Sequence, residues 1–106
     1  MEPNVEFLWW RDCPSWKRAL ALLREEMQGA GIGADRLELI EIETEDQAAR
    51  HRFPGSPTIR VDGEDVQPPG PGQPIGLTCR VYRRRDGRVS PLPDREDLSD
   101  ALRKGE

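Results

Sequence analysis

The stretch FLWWRDCPSW, residues 7–16, joins two different patterns of side chains. From Val5 to Trp10 the chain is rich in β-branched and aromatic residues and stops at the polar pair Arg11 and Asp12, as a buried strand does. Pro14 then suits the first turn of a helix, where its missing N–H has no partner to lose, and this puts Cys13 at or beside the N-cap. Beyond it Trp16, Ala19, Leu20, Leu23 and Met27 recur at helical spacing and form one apolar stripe. Lys17, Arg18, Arg24 and Glu25 fall largely off that stripe, and Gly29, Gly31 and Gly33 stop the helix.

Working outward, Leu37 to Ile42 reads as a second strand. Thr44 followed three residues later by Gln47 is a capping-box signature for a short helix through Ala48 and Ala49. Phe53, Pro54, Gly55, Ser56 and Pro57 break the helical pattern. Thr58 to Val61 is a third strand, Asp62 and Gly63 a hairpin turn, and Glu64 to Gln67 the returning strand. Residues 68–76, PPGPGQPIG, can join neither helix nor sheet interior and form a loop. Cys79 to Arg84 resumes strand character, Asp86 and Gly87 offer a turn, and Leu98, Ala101 and Leu102 mark a last helix after Pro93. No internal repeat interrupts this order.

A chain of 106 residues and 12.0 kDa has material for one hydrophobic core, so residues 1–106 are expected to form a single domain. Its net charge of −4 lacks the positive field that draws proteins to phosphate backbones or anionic lipid. Nucleic acid and membranes are therefore not expected partners. No apolar run approaches the ~20 residues of a membrane span, and the acidic start lacks a signal peptide's basic region, so a cytoplasmic protein is expected. Except for Lys17 and Lys104 the basic residues are all arginine, a bias to which no function is attached. Cys13 and Cys79 are too few for a disulfide scaffold or a four-thiolate zinc site, and no bound cofactor or metal is expected.

A thiol at a helix N-terminus meets unpaired amide donors and the positive end of the helix dipole, which favour thiolate and make Cys13 a candidate nucleophile. Asp12 opposes this and Arg11 partly offsets Asp12. The plainer alternative is a small buried hydrophobe. Trp16 has the spacing of a core residue, with substrate contact as the alternative. Trp9 and Trp10 point to opposite faces of their strand.

The order β, α, β, α, β, β, α resembles the thioredoxin-like α/β fold: a central mixed sheet flanked by helices, with a Pro/Gly-rich insertion before the last strand region. CPSW at 13–16 resembles that fold's Cys-x-x-Cys site with its second cysteine replaced, and FPGSPT at 53–58 resembles the segment that carries its cis-proline. The likeness spans nearly the whole chain. It implies that Pro57 is cis and beside Cys13, that the Ser56 backbone is open for pairing with an extended thiol substrate, and that Pro14, Trp16, Ser56 and Pro57 line the substrate site. A trans proline opening an edge strand is the alternative. LTCRVY at 77–82, taken with the Cys-Pro-x-Trp site, is similar to a group of small bacterial thioredoxin-like proteins, some of them labelled alkylmercury lyases.

Trp16 cannot resolve a mixed disulfide, so the resemblance leaves that role to Cys79. The hairpin at Asp62 and Gly63 can turn the chain back and bring Cys79 towards Cys13. A bridge needs Cα atoms about 4.4–6.8 Å apart, which a start at the far end of the sheet would prevent.

Three functions stay open at this point. One is thiol–disulfide exchange through Cys13 with a protein or small-molecule thiol or disulfide, Cys79 being the resolving thiol. A second is capture or processing of a thiophilic metal or organomercurial by Cys13 and Cys79, with Asp12 as nominal acid. The third is a non-catalytic interaction module.

Arg80, Arg83, Arg84, Arg85 and Arg88 read either as a site for an anionic thiol such as glutathione or as a solvated hairpin edge. Tyr82 between them is unassigned. His51 is explained by packing or a helix end, and Glu25, Glu26, Glu43 and Glu45 are given no acid or base role.

Overall fold

Alternation along β1 (Val5–Trp9) fixes which helix packs on which side of the sheet. In the computed structural model, which describes residues 2–104, Val5 and Phe7 join one apolar cluster and Leu8 joins another. Trp9 packs against the first cluster and Trp10 against the second, so the two tryptophans do flank the sheet from opposite sides.

β2 (Leu37–Glu41) runs parallel to β1, and β3 (Thr58–Val61) runs antiparallel to it. β4 (Glu64–Asp65) returns antiparallel to β3, giving the strand order β2-β1-β3-β4. Phe7 lies opposite Ile59, Val5 opposite Val61 and Leu8 opposite Thr58. Because cross-strand partners share a face, the register carries the first cluster from Val5 and Phe7 onto Val61 and Ile59.

α1 (Trp16–Gly29) connects the parallel pair and buries Ala19, Leu20, Leu23 and Met27 against Phe7 and Ile59. Each fully buried leucine of that face is worth about 1.5–3 kcal/mol. Gly31, at φ 75°, ends the helix. Its N–H reaches the Gln28 carbonyl and the Ile32 N–H reaches that of Met27, a pairing that needs a left-handed residue between. α2 (Glu45–Arg50) sits on the opposite face with Ala48 against Leu8, Ile42 and Phe53. Its start carries the expected capping box of Thr44 and Gln47. α3 (Arg95–Arg103), capped by Asp94, returns to the side of α1 and adds Leu98 and Leu102. The architecture is a mixed sheet flanked by helices on both faces. No helix among the described residues is long and apolar enough to cross a membrane.

Two local expectations change. α1 begins at Trp16 with Ser15 as N-cap, so Pro14 and Cys13 precede the helix. The Cys13 N–H is tied back to the Trp10 carbonyl at 3.0 Å, while Ala19 makes the first intrahelical bond to Ser15 O, also at 3.0 Å. That tight turn uses residues that would otherwise form another helical turn.

Residues 79–84 are not one strand either. β5 (Tyr82–Arg83) and β6 (Val89–Ser90) form their own hairpin around Asp86 and Gly87, and Cys79 makes a single parallel bridge with Ser56. That ladder stops because its next rung would need the Thr58 N–H, and Thr58 is already paired with Leu8 in the sheet.

Candidate functional site

The Cys13 sulfur lies where the β1–α1 turn meets the loop that precedes β3. Ser15 Oγ is 3.2 Å from it, and the thiol donates to the Ser56 carbonyl oxygen at 3.4 Å. Ser56 is fully buried, and its Oγ accepts from the Trp10 N–H at 3.0 Å, which ties that loop to the end of β1. The Ser56–Pro57 bond is cis, as the resemblance implied.

The same serine also holds Cys79. Ser56 N–H donates to Thr78 O and Arg80 N–H donates to Ser56 O, each at 2.8 Å, so the backbone of residue 79 is clasped between two bonds. The two cysteines meet at Ser56, and neither is in a disulfide. They differ in exposure: Cys13 is 2% accessible and Cys79 is exposed.

The clasp overturns one expectation. The Ser56 N–H and carbonyl are not open to an extended substrate, because residues 78–80 of the same chain occupy both.

Burial pushes the Cys13 thiol up, but hydrogen bonds from the Ser15 and Ser56 hydroxyls, the Ser15 N–H and the Cys79 thiol outweigh it and leave the group below its ordinary value. The donors are thus mainly hydroxyls rather than the open helix end that the sequence suggested. Cys79 is shifted the other way, first by burial and then by the nearby Cys13 charge. The two thiols are therefore shifted in opposite directions, Cys13 towards easier ionisation and Cys79 away from it.

Behind the two sulfurs lies a buried polar network. Tyr82 is fully buried and its hydroxyl donates to the Pro57 carbonyl oxygen at 2.6 Å. The Arg80 guanidinium stacks 4.3 Å from the Tyr82 ring centroid. It also forms a two-pronged pair with Asp65, at 2.7 and 2.9 Å, and donates to Thr58 Oγ1 and the Gln67 carbonyl. Gln67 in turn pairs its side-chain amide with both backbone groups of Arg83, at 2.7 and 2.9 Å. These bonds close the base of the Pro/Gly loop and hold residues 79–83 against the cis-proline loop.

Of the sequence-proposed residues, Cys13, Ser56, Pro57 and Cys79 converge. Pro14 is exposed beside them. Trp16 stacks on Trp9 with centroids 4.1 Å apart and packs against the α1 cluster, the core role its spacing suggested.

The arginine stretch is neither a free anion site nor a uniformly solvated edge. Arg80 is buried on Asp65, while Arg85 is shared among Glu96, Asp97 and Asp100. His51 ends α2, where its carbonyl accepts from Arg60.

Sequence reasoning missed Ser15, Asp65, Arg80 and Tyr82 as members of the site. The sequence held no signal for Arg80: in Arg80-Val81-Tyr82 the charged residue is buried and the apolar Val81 is 64% accessible, the reverse of what hydropathy suggests. No family model, curated protein or solved structure matches the chain.

Proposed function

We propose that the chain is a thioredoxin-like protein of the cytoplasm in which Cys13 and Cys79 form an exchanging dithiol–disulfide pair for thiol or disulfide substrates. The observation that carries this reading is the meeting of both cysteines on Ser56, whose carbonyl touches the Cys13 sulfur while its backbone clasps residue 79. Further support comes from the strand order β2-β1-β3-β4, with α1 and α3 on one face and α2 on the other, and from the cis-proline loop against the thiol. Trp16 does not stand in the way of exchange. The sulfur missing from the Cys-x-x-Cys position is supplied from across the fold. Exchange proceeds by thiolate attack on a disulfide sulfur, so one sulfur poised as thiolate beside a second is the minimum equipment required.

Mild oxidation followed by a tryptic map under non-reducing conditions tests the reading. The linked product joins the peptide 12–17 to the peptide 61–80, and its absence rejects the pair.

Two adjoining sulfurs also favour a second reading, capture of a soft cation such as mercuric ion. Among the described residues no cluster of three or more His, Cys, Asp or Glu side chains could hold a metal, so capture would use the two thiolates alone. Stoichiometric mercuric ion binding that survives in Cys13→Ser or Cys79→Ser would remove this reading.

A further inference from the structure

Which of two paired sulfurs a substrate attacks is decided first by access. The incoming thiolate approaches along the line of the disulfide, from the side opposite the sulfur that will leave. The surroundings of Cys13 are closed: the residue is 2% accessible, with Ser15 Oγ and the Ser56 carbonyl packed on its sulfur. The surroundings of Cys79 are open. It lies on the outward side of the 79–82 alternation with exposed Val81, while Arg80 and Tyr82 point inward.

We propose that Cys79 is the sulfur at which substrate thiols attack and Cys13 is the leaving sulfur, the reverse of the roles that chain order suggests. This rests on the reading that the two residues form an exchanging pair.

Written out, a substrate thiolate RS⁻ forms a bond to Cys79 Sγ, the Cys79–Cys13 bond breaks, and its electron pair stays on Cys13 Sγ. A second thiolate R′S⁻ then attacks the substrate sulfur, releasing RSSR′ and leaving Cys79 as thiolate, which takes a proton from water. Two thiols are oxidised and the protein disulfide is reduced by two electrons. A low-molecular-weight disulfide restores it by running the same steps backwards.

The hydroxyls of Ser15 and Ser56 are placed to receive the charge that the first step creates on Cys13. A sulfur that holds charge well is the better leaving group, so the order of attack set by access is also the order favoured by departure. The high proton affinity of Cys79, which would handicap it as an attacking thiol, is no handicap to an attacked sulfur.

The test uses the intact wild-type chain. The protein is oxidised to the Cys13–Cys79 form, mixed briefly with reduced glutathione, quenched in acid to freeze exchange, then denatured and blocked with N-ethylmaleimide. Tryptic peptides are mapped without reduction. Glutathione on peptide 61–80 with maleimide on peptide 12–17, in at least tenfold excess over the reverse pattern, is the expected result. An even split, or glutathione chiefly on 12–17, overturns the assignment and leaves the exchanging pair standing. Failure of the oxidised protein to show any 12–17/61–80 linkage overturns the pair itself, and the assignment with it.

Discussion

The Tyr82 hydroxyl donates to the carbonyl oxygen of Pro57 at 2.6 Å, with both residues buried. This bond fastens the segment that carries Cys79 to the loop that lies on Cys13. Tyr82→Phe keeps the ring and its stack with Arg80 but leaves the Pro57 carbonyl without its partner. Such a loss costs about 1–3 kcal/mol. The expected outcome is a lower denaturant midpoint with an unchanged slope, together with slower closure of the Cys13–Cys79 disulfide. An unchanged midpoint would show that the bond contributes nothing net.

Asp65→Asn removes the charge that faces the buried Arg80 guanidinium. Breaking one side of a buried ion pair costs about 3–5 kcal/mol, because the remaining charge stays desolvated. Arg80→Lys should also be destabilising: a single ammonium cannot reproduce two bonds to Asp65 and a planar stack on Tyr82. Chemical denaturation measures both. A loss below ~1 kcal/mol in either variant contradicts the network's role.

Gly55 sits at φ 126°, and a Cβ built there would lie 3.1 Å from the Arg80 backbone nitrogen. Gly55→Ala is therefore strained by its own backbone and pushes on the residue that donates to Ser56 O. Non-glycine residues in such regions cost about 1–3 kcal/mol. The variant should lose stability by that amount and weaken the clasp around Cys79, seen as faster amide exchange at Arg80. Wild-type protection at Arg80 would contradict this.

The Cys13 thiolate is supported by hydroxyl donors, so removing one should raise its pKa. Ser15→Ala, made in a Cys79→Ser background so that one thiol is titrated, is expected to shift the thiolate absorbance transition upward relative to that background. Equal transitions would mean that the hydroxyl does not donate to the sulfur.

Stability should follow pH in a matching way. Folding lowers the Cys13 pKa from 9.0, so the folded chain binds that proton more weakly than the unfolded chain does. The resulting stabilisation is complete above pH 9 and fades as pH falls through the folded value. Cys79 has the opposite sign: its pKa is raised, and its ionisation destabilises the fold as pH climbs past 9. Cys79→Ser should remove the alkaline loss, and denaturation midpoints between neutral and alkaline pH measure it.

Much of the fold was legible because its causes are local. The alternation of Val5, Phe7 and Trp9 against Leu8 and Trp10, the stripe from Ala19 to Met27 and the Thr44–Gln47 cap each depend on residues within a turn or two of one another. The bounds of β3 were read in full, and those of β1 and β2 to within one residue. The start of α1 was placed too early, because Pro14 satisfies a helix's first turn and a tight turn equally well. The long strand read from Cys79 to Arg84 failed for a non-local reason: beyond Ser56 the next rung would fall on Thr58, which Leu8 already holds.

The sequence by itself determined the three helices, the first four strands, their order and the presence of a thiol at the first strand-to-helix junction, since backbone preference and apolar period act over short separations. Only the tertiary structure decided that Ser56 gathers both cysteines, that Arg80 and Tyr82 lie under them, and that Cys13 is the enclosed sulfur and Cys79 the exposed one. Those outcomes depend on which distant segments share a desolvated space, where each buried N–H, carbonyl and charge takes the partner that packing brings to it.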